Sequence, residues 1–176
     1  MAIRPIVKYP VMSLKEVAKP VTDFGPDLEA LVADMAETMY AAPGVGLAAP
    51  QIAVPLQLCV IDISPKDQPR DLIVLANPQI VKGEGAEVDE EGCLSVREYS
   101  ADVKRFERVW VTAQDIKGQP MEFMAEGFYA RVIQHELDHL QGTLFIDRLS
   151  SLKRSLYKKK LKKILQEEER RAQEKD

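Results

Sequence analysis

The only two histidines of the chain, His135 and His139, stand four residues apart with Glu136 directly after the first. On an α-helix, four residues turn the chain through about 400°, so the two imidazoles project about 40° apart and lie about 6 Å from one another along the axis. Both can hold one metal ion. Glu136 falls about 100° round the helix from His135, beside the ion, where a carboxylate can take a proton from water that the ion has activated. The pattern from about Ala125 to Leu140 is helical, and Gly142 follows where a helix end favours a left-handed residue. A solvated helix could spell the same five residues, so the segment needs support from elsewhere in the chain. Asp138 is assigned no catalytic role, because acids on helix surfaces are usually solvated; at most it supports the ligands from outside.

That support comes from two further segments. In Glu91-Gly92-Cys93-Leu94-Ser95 a cysteine sits beside a glycine. A thiolate is a strong ligand for zinc or ferrous iron, and two imidazoles plus one thiolate leave a fourth tetrahedral position for water, as a hydrolytic site requires. The bland reading of Cys93 is a small buried apolar residue, which is the preferred reading of Cys59 in its apolar strand. The second segment is Gly44-Val45-Gly46-Leu47-Ala48-Ala49-Pro50-Gln51. Its glycines permit close approach of a ligand backbone, and the side-chain amide of Gln51 can donate to a developing oxyanion, although a tight turn would use the same glycines.

The rest of the chain bounds the fold. Its 176 residues suit a single domain, and no glycine- or serine-rich linker or internal repeat divides them. No apolar run approaches the roughly 18 residues that span a bilayer, and Met1 to Pro10 lack the apolar core of a secretory signal. A net charge of −4 argues against nucleic acid as the substrate. Asp27 to Ala42 places Leu28, Leu31, Val32, Met35 and Met39 at helical spacing, with Pro43 and Gly44 as its stop. Strands are expected at Leu56 to Ile63, Asp71 to Ala76, Ile80 to Lys82 and Val103 to Gln114, in an antiparallel arrangement. The expected class is α+β, with antiparallel sheets packed around the central histidine-bearing helix, and a C-terminal helix.

Taken together, the three segments resemble the signature motifs of the peptide deformylase family, in that family's order. The resemblance spans roughly Gly44 to Gly142, and Pro20-Val21, Phe24 and the first helix resemble the family too. It implies a hydrolase that removes the formyl group from N-terminal formyl-methionine of nascent polypeptides. It implies one divalent metal ion per chain, natively iron(II) with zinc, nickel or cobalt as substitutes, on Cys93, His135 and His139. It further implies Glu136 as general base and then acid, and Gln51 and the backbone N–H of Leu94 as oxyanion donors. Gly46 and Gly92 would bind the peptide backbone, while Val45, Phe128, Val132 and His135 would border the methionine pocket. Arg131 departs from the family pattern, in which several members carry an apolar residue there. Its stem is expected to cover apolar surface while the guanidinium reaches solvent. Glu91 is expected to pair with Arg105 and so fix the loop that presents Cys93.

Residues 1–150 read as the catalytic domain and 151–176 as a charged helical extension. Leu149, Leu152, Leu156, Leu161, Ile164 and Leu165 form an apolar stripe among Lys153, Arg154, Lys158, Lys159, Lys160, Lys162 and Lys163. Either the stripe docks on the domain and the charges are solvated, or the basic face meets the ribosome, as a similar helix does in some deformylases. The residues from Gln166 are expected to fray. Two other classes share features with this chain. A zinc endopeptidase would need a third glutamate or histidine ligand in place of Cys93, and a structural metal module would need Cys59 to close the fourth position. The bacterial cytoplasm is the expected compartment.

Overall fold

The computed structural model describes residues 2–174. Helix α1 spans Pro26–Ala41, with Gly25 as N-cap and Pro26 at the first helical position, where its missing N–H costs nothing. Seven strands follow: β1 Gly46–Ala48, β2 Leu58–Ile61, β3 Ile73–Glu84, β4 Glu87–Gly92, β5 Ser100–Arg105, β6 Arg108–Gln114 and β7 Pro120–Glu126. The chain then enters α2, Gly127–Leu140, and ends in α3, Ser151–Gln173. Five strands form one antiparallel sheet in the order β1-β2-β3-β6-β7, and β4 and β5 form a separate hairpin.

Strand β2 shows why the sheet sits between helices. Its four residues are all buried, and they alternate sides: Cys59 and Ile61 join the cluster containing Ala130, Val132 and Ile133 of α2, whereas Leu58 and Val60 join that of Leu28, Val32, Met35 and Met39 of α1. A period of two with both faces apolar reads as a continuous hydrophobic run, which only a doubly covered strand tolerates. A third cluster joins Val96 and Val103 of the hairpin region to Leu144, Phe145, Ile146 and to Tyr157 and Leu161 of α3.

Several expected boundaries move. The expected strands Asp71 to Ala76 and Ile80 to Lys82 merge into one, β3, which starts at Ile73 and has register shifts at Ala76/Gln79 and Ile80/Lys82, with Asn77 at φ 50°. The expected strand Val103 to Gln114 is two strands in different sheets. The break has a clear cause: the Phe106 N–H donates to Gln134 Oε1 and its C=O accepts from Gln134 Nε2, both at 2.9 Å, so α2 takes the backbone groups that a continuing ladder would use. Strands β1, β4 and β7 were not expected. On α3 the stripe is rotated: Tyr157 and Leu161 are buried while Leu152 and Leu156 are 70% and 56% exposed. Tyr157 sets this face by stacking on Tyr99 at 4.6 Å. The segment from Gln166, expected to fray, is helical through Gln173. Good helix formers fill it, and Glu168 is held by Arg97 at 3.0 Å.

Candidate active site

Helix α2 begins at Gly127, ends at Leu140 and turns out through Gly142 at φ +69°, where a Cβ would lie 2.3 Å from the Lys15 carbonyl oxygen. That close approach requires glycine. Along this helix His135 and His139 face the same way, with ring centroids 5.0 Å apart. The hairpin brings Cys93 to them from 42 residues upstream of His135, so that its Sγ lies 3.3 Å from His139 Nε2. One donor atom from each of Cys93, His135 and His139 lies within 4.8 Å of the others. These are a thiolate and two imidazole nitrogens, the chemistry that holds zinc or iron(II). His135 Nδ1 faces Glu91 Oε2 at 3.0 Å, which leaves its Nε2 for an ion. Burial pushes His139 well below the usual imidazole range, keeping it neutral as a ligand must be. Two buried polar atoms at the site, Glu136 Oε2 and His139 Nδ1, have no partner among the described residues. Polar atoms left bare in this way commonly face an ion, water or ligand. The residues present therefore fit a metal ion. Cys59, the fourth ligand a closed structural site would need, is fully buried in β2 and is no part of this group.

Behind the ligands lies a buried ionic network. Glu91 accepts from Arg105 Nε at 2.7 Å and Nη2 at 2.9 Å, as the sequence reading expects. Burial works to raise the Glu91 carboxyl, but Arg105 and His135 outweigh it and hold the pKa at about 2. Asp138 is not a solvated acid: it accepts from Arg105 at 2.7 Å and from Arg148 twice at 2.6 Å. Arg131 does not reach solvent either. It is 4% exposed, and its guanidinium donates to Glu91 Oε1 at 2.9 Å and to backbone carbonyls of the hairpin. The backbone carbonyls of Glu87 and Val103 and a buried carboxylate supply the guanidinium with charge-assisted partners in place of water.

In front of the ligands is a cavity of about 420 Å³. Every expected site residue except His139 lines it: Val45, Gly46, Gln51, Gly92, Cys93, Leu94, Phe128, Val132, His135 and Glu136. Burial pushes the Glu136 carboxyl up to about 7. Gly46 is what lets that carboxylate sit there, because a Cβ on Gly46 would come within 2.4 Å of Glu136 Oε1. The Gln51 amide is oriented by its own loop. Its Oε1 accepts from the Ala48 N–H at 2.9 Å, and its Nε2 is turned toward Ser95 Oγ at 3.1 Å and Cys93 Sγ at 3.7 Å.

Sequence reasoning missed several supporting groups. Ser95 is fully buried and its N–H donates to Cys93 Sγ at 3.4 Å. Phe145 stacks beside the His135 ring at 6.3 Å. The N-terminal segment ties the two loops of the site together, Val7 N–H donating to the Gln51 carbonyl and Tyr9 N–H to the Ser95 carbonyl. Only the adjacency of Ser95 to Cys93 offered a local signal.

Comparison with known proteins agrees with this geometry. Residues 3–155 match the family described as Polypeptide deformylase. The chain belongs to the peptide deformylase family. A peptide deformylase of Desulfotalea psychrophila is 52% identical over 93% of this chain and 97% of that one. Another, of Acidobacterium capsulatum, is 50% identical over 93% and 96%. The crystal structure of a peptide deformylase from Legionella pneumophila superposes with a TM-score of 0.88 at 47% identity, covering 96% of this chain and 99% of that one. Like its family, this deformylase is a metal-dependent hydrolase that removes the formyl group from N-terminal formyl-methionine and releases formate. Among the described residues no helix is long and apolar enough to cross a membrane.

Proposed function

We propose that Cys93, His135 and His139 hold the ion, iron(II) in the cell with zinc, nickel or cobalt as substitutes, and that Glu136 moves the protons of the reaction. The convergence of three donors from distant parts of the chain, beside a buried carboxylate with one bare oxygen, carries this reading. When bound, the ion acidifies a water molecule and polarises the formyl carbonyl. Glu136 takes the proton from the attacking water and delivers it to the amide nitrogen of the leaving methionine, since an amine must depart protonated. Gln51 Nε2 and the Leu94 N–H donate to the carbonyl oxygen as it gains charge, a contribution of about 3 kcal/mol per donor in comparable sites.

Substrate positioning follows from the walls of the cavity. Gly46 and Gly92 bind the peptide backbone, and Val45, Phe128, Val132 and the His135 ring border the methionine side chain. Gly92 suits that role, because a Cβ there would approach nothing closer than 3.8 Å, so packing alone does not demand its absence. Residues 1–150 form the catalytic domain and 151–176 an extension, which docks through Tyr157 and Leu161 and leaves Lys158, Lys159, Lys162 and Lys163 exposed. Those lysines suit contact with ribosomal RNA in the bacterial cytoplasm. If so, replacing them with alanine weakens ribosome binding and flattens its salt dependence.

The test of the site is purification without oxygen, quantification of bound metals and an assay of formate release from a formyl-methionyl peptide. Glu136→Ala is expected to keep its metal and lose about 10²- to 10⁴-fold in rate. A Cys59→Ala variant is expected to keep full metal content. Loss of metal from the latter would mean a closed structural site and would overturn the reading.

A further inference from the structure

The β4–β5 hairpin has no strand neighbour outside itself, yet β4 leads directly into Cys93. Isolated two-stranded hairpins are marginal in water, so something else must hold this one against α2. One end is anchored by Val103, which is buried among Phe145, Tyr157 and Leu161. Arg105 to Asp138 and Glu91 to His135 also join the hairpin to α2, and a further attachment is Arg131, four residues before His135 and therefore on the same face of α2. Its Nη2 donates to the Glu87 carbonyl at 3.1 Å, and its Nη1 to Glu91 Oε1 at 2.9 Å, to the Val103 carbonyl at 2.9 Å and, longer, to the Asp89 carbonyl at 3.4 Å. Glu87, Asp89 and Glu91 are alternate residues of one strand, so a single guanidinium gathers the Glu87 and Asp89 carbonyls and the Glu91 side chain of β4 at one point.

We propose that Arg131 is a positioning and specificity-determining residue: it clamps β4 to α2, setting the separation of the Gly92 and Val132 walls of the cavity and the approach of Cys93 to the two histidines. Arg131 itself lines the cavity, and with its guanidinium committed to the hairpin only the methylene stem is left to face the substrate. The Arg131 charge is thus turned away from the cavity and onto the hairpin. A planar fork with several donors suits this set of diverging acceptors, and a lysine's point charge does not. The inference rests on the site assignment above.

The test compares the parent with Arg131→Met, which keeps the apolar stem and loses the fork, and with Arg131→Lys, which keeps the charge. For Arg131→Met, KM for a formyl-methionyl peptide should rise about tenfold while kcat per bound ion changes by less than about threefold, the split expected for lost positioning. Amide exchange at residues 88–92 and the rate of metal loss to a chelator should both increase, with Arg131→Lys intermediate in all three readouts. A merely structural role would lower the melting temperature and leave KM of the folded protein unmoved. KM, exchange and chelator loss all within twofold of the parent would overturn the clamp. If Arg131→Met fails to fold, Arg131→Lys is judged by the same criteria. Should the parent release no formate, the site assignment falls, while exchange and metal loss still decide the clamp.

Discussion

Gly46 carries no side chain because Glu136 occupies the space one would take, and this pairing makes a sharp prediction. A Cβ at Gly46 lies 2.4 Å from Glu136 Oε1 and 2.9 Å from its Cδ, so Gly46→Ala must push the carboxylate aside. A misplaced proton carrier loses most of its catalytic advantage, so activity should fall about 10²-fold. The proposed ligands Cys93, His135 and His139 are untouched by the change, and metal content should stay that of the parent. Loss of metal together with activity would place the damage elsewhere. The sequence leads one to expect a ligand backbone against the glycines of this loop; the group that the structure places against Gly46 is Glu136, 90 positions away and beyond the reach of local pattern.

At the scale of elements, the hairpin and α2 are joined by charge and α3 is joined by aromatic packing. Arg105, on β5, pairs with Glu91 on β4 and Asp138 on α2, and all three side chains are at most 12% exposed. Removing one partner from such a network leaves buried carboxylates uncompensated, which typically costs about 3–5 kcal/mol. Arg105→Ala should lose stability of that order in urea unfolding and should hold metal less well, because Glu91 orients His135. Unchanged metal content and activity would show that the Arg105–Glu91 pairing has no functional weight. On α3, Tyr157→Ala removes a fully buried ring stacked on Tyr99, with an expected loss of about 3–5 kcal/mol, whereas Leu152→Ala should stay within about 0.5 kcal/mol. Equal losses from both would contradict the observed face of the helix.

For the whole molecule, stability should decline in acid through carboxylates tied down on folding. Asp62, at the end of the sheet, is the clearest case away from the metal site. Burial works to raise its carboxyl, but hydrogen bonds from the Ser64 hydroxyl and N–H, the Tyr40 hydroxyl and the Asp71 N–H outweigh it and hold the pKa below the usual range. A carboxyl depressed on folding adds stability above its unfolded pKa of about 3.9, and that stability is lost as pH falls toward the folded value. Urea midpoints measured from pH 7 downward should therefore drop below about pH 4, and Asp62→Asn should flatten that part of the curve. A variant as steep as the parent would remove Asp62 from the account.

The helix from Pro26, the histidine-bearing α2, its glycine stop and the antiparallel character of the strands were all legible in the sequence, because periodicity, caps and turn residues act over a few positions. The convergence of Cys93, His135 and His139 was legible for a related reason: few chemistries use two histidines at helical spacing together with a cysteine. Where the chain breaks at Phe106, which face of α3 is buried, and what Arg131, Asp138 and Ser95 touch were decided by the tertiary structure alone. Those outcomes depend on partners from 10 residues away, as Arg148 is from Asp138, to 44, as Gln51 is from Ser95, or on a ring such as Tyr99 that selects one face over another. Local pattern cannot encode such a choice, since the energy that makes it exists only once the distant surfaces have met.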